Sequence, residues 1–173
     1  MTMPSATRPL LLAIALLAAA VAPAFAGDAA RDTPEIRVDI PVALKTAKVV
    51  FDIDQPLLAG DMPAGIGHMA TMVSRFNETG TKWTIIGVFH SGAGYMLLND
   101  QAYNRARKIQ TGNPYKAMIA KLIAQGVQIE ECAVTMNRNG WGNADLLPDV
   151  KVNAGANLRI VQLVQQGYVM LPP

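Results

Sequence analysis

Residues 82–90, KWTIIGVFH, form an almost unbroken apolar run rich in β-branched and aromatic side chains. A strand of that kind has no face to spare for water, so it needs a sheet covered on both sides and belongs near its centre. The rest of the sequence alternates as such a sheet requires. AKVVFDI (47–53) reads as a strand and GIGHMATMVSRFNETG (65–80) as a helix stopped by Gly80. SGAGYMLLND (91–100) is a glycine-bearing loop, helical material starts at Asp100, and Asn113-Pro114 opens the helix YKAMIAKLIAQ, closed by Gly126. VQIEE (127–131) is the next strand; its alternation fails after Glu131, and Cys132, Thr135 and Met136 then fall at i, i+3 and i+4 of a short helix ended by Gly140. WGNADLLPD is a loop, VKVN a fourth strand, AGANLRIVQLVQQ a helix ended by Gly167, and YVML a fifth strand. Strands alternating with helices specify a three-layer α/β/α single domain with a mainly parallel five-stranded sheet.

The N-terminus reads as an export signal. Arg8 supplies the positive charge, LLLAIALLAAAV (10–21) the apolar run, and Ala24-Phe25-Ala26 a small-x-small cleavage site. The run is shorter than the roughly 20 apolar residues that span a bilayer, so a cleavable signal peptide over 1–26 is the expectation rather than a membrane anchor. With no second arginine beside Arg8, the general secretory route fits better than a twin-arginine one. The mature protein is then periplasmic or secreted, with no membrane attachment after cleavage. Residues 27–46 form an arm carrying Pro34 and Pro41, and the Ile36, Val38, Ile40 alternation suggests an extended segment lying along a neighbour. Residues 47–173 make the domain. A formal net charge of +2 gives no electrostatic case for nucleic acid or an anionic membrane.

The chain holds one cysteine, so it makes no internal disulfide. Cys132 falls at a strand-to-helix junction at the carboxyl end of a parallel strand, where ligands and chemistry gather in open α/β sheets. A helix N-terminus stabilises a thiolate, Arg138 adds positive charge, and the thiolate is the form that attacks sulfur electrophiles. Cys132 is therefore a candidate catalytic thiol, the alternative being a small hydrophobe filling the junction. His90, Ser91, Gly92 and Gly94 put an imidazole, a hydroxyl and N–H groups at another strand end, suited to binding a small anion or polarising a neighbouring thiol; the alternative is a strand that turns through glycines.

Other chemistries lack their residues. GAG is no dinucleotide fingerprint and HSGAG is no G-x-S-x-G elbow. A copper site is disfavoured because no histidine follows Cys132, and zinc ligands at the right spacing are missing, so no metal or cofactor is expected. His68, among Ile66, Met69 and Met72, reads as a partly buried structural histidine. Tyr95, Met96, Leu97 and Leu98 read as an apolar cluster marking a contact surface.

GVQIEECAVTMNRNG (126–140) followed by DLLPDVKVNAGANLRIVQLVQQGYVMLPP (145–173) resembles the C-terminal half of the DsrE/DsrF-like family, and VVFDID (49–54) and VFHSGAGYMLLND (88–100) resemble its first two strand segments. The resemblance implies a parallel α/β sheet and homo- or hetero-oligomers, often trimers or hexamers. It also implies a sulfur-relay role in which Cys132 carries a persulfide, Arg138 and Gly140 matching the end of the short helix. Partners would be further copies of the chain and a sulfur donor or acceptor protein. The familiar relay members work in the cytoplasm, so an exported member must draw sulfur from another source. A different class of function, a non-catalytic oligomeric binding module using the strand-end pocket, is the alternative.

Overall fold

The computed structural model describes residues 35–173. The signal peptide expected over 1–26, and the arm as far as residue 34, lie outside the described residues. The chain divides after Asp39. Residues 35–39 carry no strand or helix, and there Arg37 donates to Asp39 at 2.8 Å. Beyond the division, residues 40–45 also lack strand or helix, and Ile40 and Val42 are exposed.

The domain runs β1 (Thr46–Ile53), a two-residue hairpin β2 (Leu58–Ala59) and β3 (Met62–Pro63), α1 (Ala64–Thr79), β4 (Lys82–Phe89), a 3-10 helix (Ser91–Leu97), α2 (Asp100–Arg107) and α3 (Lys116–Ala124). It continues with β5 (Gln128–Cys132), α4 (Ala133–Asn139), a short 3-10 turn (Asn143–Asp145), β6 (Lys151–Asn153), α5 (Ala156–Gln165) and β7 (Val169–Leu171). The five-stranded sheet has order β6-β5-β4-β1-β7 with every pairing parallel; the hairpin is antiparallel and separate. This is the expected α/β fold, with β4 central as its apolar run requires.

Side-chain alternation assigns the two faces of the sheet. Val49, Phe51 and Ile53 of β1, Ile85 and Phe89 of β4 and Ile129 of β5 pack on one face against α1, α3 and the 3-10 helix. Val50, Ile86, Val88 and Cys132 point to the other, which α5 covers with Ala156, Ile160 and Leu163. Gly87 of β4 lies on the first face, where an added Cβ would come within 2.9 Å of Met69 Sδ; its missing side chain lets α1 sit close. The α1 helix ends as expected at Gly80, in the left-handed conformation at φ 67°.

Three expectations need correction. The segment after β4 is a seven-residue 3-10 helix rather than a loop, and its Met96 and Leu97, with the following Leu98, are buried in the core, not displayed as a contact surface. The reason is a distant clamp: buried Asn113 donates through Nδ2 to the carbonyls of Met96 (2.8 Å) and Leu98 (2.6 Å), folding the segment back on its own domain. Tyr95 packs on Tyr103 and Tyr115, with ring centroids at 5.8 and 6.3 Å. His68 is exposed, facing a surface groove with Met72, Phe76 and Leu171, because its position on α1 turns away from the core row Ile66, Met69, Val73.

Candidate functional site

Strand register brings the chemistry together. Ile53 pairs with Phe89 and Phe89 with Glu131, so the carboxyl ends of β1, β4 and β5 lie side by side. Asp52, His90 and Cys132 each sit an even number of residues from a side chain on the α5 face: Val50, Val88 and Glu130 respectively. All three therefore emerge on that face at adjacent strand ends, which lie about 4.8 Å apart in a sheet.

His90 and Cys132 open into a cleft of about 290 Å³ lined also by Ser91, Val134, Thr135, Arg138 and the segment Ala154–Leu158 that starts α5. Cys132 is the residue preceding α4 and is 4% exposed. The Ala156 N–H, at the first position of α5, donates to its Sγ at 3.3 Å. Burial pushes the thiol up, but the N–H groups of Thr135 and Ala156, the Thr135 hydroxyl and the Val134 N–H outweigh it, so its pKa is lowered from the ordinary value. Such donors prefer the anion, because a thiolate accepts hydrogen bonds better than a thiol does.

His90 is held from both sides. Its Nε2 lies 2.8 Å from Asp52 Oδ1 and its Nδ1 3.0 Å from Ser91 Oγ. A carboxylate only accepts, so Nε2 carries the hydrogen, and in the neutral ring Nδ1 is left to accept from the Ser91 hydroxyl. Ser91 adopts φ 50°, a left-handed conformation uncommon for a residue with a side chain, and its N–H donates to Thr135 Oγ1 at 2.9 Å.

Of the residues expected from sequence, the cleft gathers Cys132, His90, Ser91 and Arg138. Gly92 and Gly94 are not among its lining residues. A Cβ on exposed Gly92 would meet Gln55 Oε1 at 2.8 Å, and one on buried Gly94 would lie 2.7 Å from Glu131 Oε1, so both glycines allow close packing against neighbouring side chains. Asp52, Thr135 and the start of α5 escaped the sequence reading. The first acid of VVFDID and the small residues of NAGAN were their only local signals.

Behind Cys132 lie two consecutive glutamates with opposite fates. Glu130 points to the α5 face, where Arg159 donates through Nε (3.1 and 3.0 Å) and through a terminal nitrogen (2.8 Å), joined by Gln128 and by Asn153 at 3.1 Å. Burial raises its pKa, but these donors, Arg159 first, override it and leave it lowered. Glu131 points the other way, under the 3-10 helix; it is fully buried and neither carboxylate oxygen has a hydrogen-bond partner. Burial pushes it up to about 8, outweighing the opposing pull of the Cys132 amide.

Comparisons with known proteins identify the family and the fold. The family model described as the DsrE/DsrF-like family matches residues 48–173. Among solved structures, MTH1491, a protein of unknown function from Methanobacterium thermoautotrophicum, superposes with TM-score 0.58 at 22% identity, covering 73% of this chain and 99% of its own. The ychN protein from E. coli superposes with TM-score 0.50 at 15% identity, covering 75% and 99%. These likenesses show the fold. No curated protein matches the chain.

Proposed function

The chain belongs to the DsrE/DsrF-like family, and on that premise we propose that it is an exported sulfur-carrier protein in which Cys132 accepts sulfane sulfur and passes it on. The observation that carries this reading is a thiol with a lowered pKa at the wall of a cleft, held by the Ala156 N–H and flanked by Arg138. A stabilised thiolate is the nucleophile that sulfur transfer needs, and a cationic side chain beside it favours the anionic persulfide product. No cofactor enters this scheme. Residues 1–26 are removed on export, and the donor is one available outside the cytoplasm. Assembly into a trimer or hexamer is part of the proposal; exposed Leu158 and Val161 on α5, and Val134 beside the cleft, support a docking role for the α5 side.

Intact mass after incubation with thiosulfate or polysulfide tests it. The expected result is a gain of one or more sulfur atoms that reductant removes and that Cys132→Ala abolishes. Uptake by Cys132→Ala, or none by the wild type, overturns the reading. In the second case, labelling of Cys132 by a thiol reagent only after unfolding would favour a non-catalytic binding module.

A further inference from the structure

Asp52, His90 and Ser91 form a chain of hydrogen bonds, 2.8 Å and then 3.0 Å, that runs from the end of β1 across the end of β4 into the cleft that holds Cys132. We infer that this chain is a proton relay for sulfur transfer, with His90 and Ser91 as catalytic residues that hand a proton to the departing thiol and Asp52 as the residue that positions the imidazole. The inference rests on the sulfur-carrier reading and adds to it the groups that move the proton and the class of donor that needs them.

Three independent features of the chain support a relay over a fortuitous contact. The Asp52 carboxylate fixes the ring tautomer, so that Nδ1 and not Nε2 faces the serine. The side chain of His90 is only 13% exposed, which leaves the ring little freedom to leave that geometry. Ser91 is held in a left-handed conformation, φ 50°, by its N–H bond to Thr135 Oγ1, and Thr135 lines the same cleft as the thiol. A residue kept at an uncommon backbone angle persists only when its surroundings over-determine it, and here the surroundings are the cleft itself.

The donor class follows from what the relay does. A persulfide of an alkyl thiol, R–S–SH, leaves a basic thiolate that gains from protonation as it departs. The Cys132 thiol gives its proton to Ser91 Oγ while the serine proton passes to His90 Nδ1, forming an imidazolium beside Asp52. The Cys132 sulfur attacks the outer sulfur of the donor; the donor S–S bond breaks with its electron pair on R–S⁻, and a new S–S bond joins Cys132 to the transferred sulfur. The imidazolium proton returns through Ser91 to R–S⁻. Cys132–SH and R–S–SH become Cys132–S–SH and R–SH, with atoms and charge balanced and no outside oxidant or reductant.

Leaving-group dependence separates this relay from a structural role. Sulfur uptake by the full chain is timed with glutathione persulfide, whose leaving thiolate needs a proton, and with thiosulfate, whose leaving sulfite does not. Ser91→Ala and His90→Asn should slow transfer from the persulfide on the order of 100-fold and transfer from thiosulfate, which uses the relay only to deprotonate Cys132, on the order of 10-fold or less. Asp52→Asn should act in the same direction with a smaller loss and should shift the pH profile of persulfide transfer, which a mere loss of packing would not do. Variants that keep the wild-type rate with the persulfide overturn the relay, and so do variants that lose both donors equally. Either result leaves the sulfur-carrier reading intact if Cys132→Ala still abolishes uptake. Uptake by Cys132→Ala, or none by the wild type from either donor, overturns the carrier reading and the relay with it.

Discussion

Glu130 and Glu131 are neighbours on β5, equally removed from water, and differ only in the face of the sheet they meet. On the α5 side, Glu130 is answered by Arg159, Gln128 and Asn153 and is held as an anion. On the 3-10 side, Glu131 packs beside Gly94 with no hydrogen-bond partner for either carboxylate oxygen, and burial pushes its pKa up to about 8. A buried acid is tolerated by pairing its charge or by discarding it, and β5 does one on each side of the reactive cysteine. The paired side fixes α5, whose first N–H reaches the thiol. The neutral side keeps a second negative charge away from a sulfur that has to become an anion itself.

Removing the cation strikes the paired side hardest. Arg159→Ala leaves Glu130 buried without its main partner and should cost about 3–5 kcal/mol in urea denaturation at neutral pH. A loss below about 1 kcal/mol would mean that Gln128 and Asn153 suffice and that the pair is incidental.

The neutral side answers to pH instead. The folded pKa of Glu131, about 8, lies above its ordinary 4.5, so between those values the folded state holds a proton that the unfolded state has released. Stability is then fullest below the lower value and falls as pH rises toward the higher one, by about 1.4 kcal/mol per pH unit. Glu131→Gln should remove that slope, read from urea midpoints taken at intervals from mildly acidic to mildly alkaline pH. Identical slopes in the two proteins would show that the Glu131 carboxyl finds a partner or water in solution.

The smallest effect tests the residue that joins the two sides. Thr135 accepts the Ser91 N–H and also stabilises the Cys132 thiolate. Thr135→Val keeps the volume, should cost about 1 kcal/mol, and should raise the thiol pKa, so that labelling by iodoacetamide slows at mildly acidic pH. Unchanged labelling would assign the lowered thiol pKa to the backbone N–H groups alone.

The parts of this arrangement that depend on short-range pattern were legible in the sequence. The unbroken run of β4 announced a sheet covered twice, and Gly80, Gly126, Gly140 and Gly167 all take positive φ at or just past the helix ends where they were read as stops. Cys132 before a short helix needed only the failure of alternation after Glu131. What escaped needed partners far along the chain. The 3-10 helix read as a loop because its glycines hide the apolar period and because its burial depends on Asn113. The two-residue strands β2 and β3 are too short to carry any period. Asp52 looked like an ordinary strand-end acid until the register of β1 on β4 set it beside His90, and Glu131 looked like a twin of Glu130 until the 3-10 helix was laid over it.

The order of the strands has a consequence for when the thiol becomes reactive. β1, the first strand of the sheet, is flanked on one side by β7, the last, with Val49 opposite Val169, and α5 between them in sequence supplies Arg159 and the N–H that reaches Cys132. Closing that pair spans almost the whole domain, the kind of long-range contact whose loop entropy makes it late in folding. Until α5 docks, Cys132 lacks the Ala156 donor, and the ion pair that seats α5 on β5 is unmade. An incompletely folded chain thus carries a thiol of more ordinary reactivity, and the rate at which Cys132 reacts serves as a clock for the last step of folding.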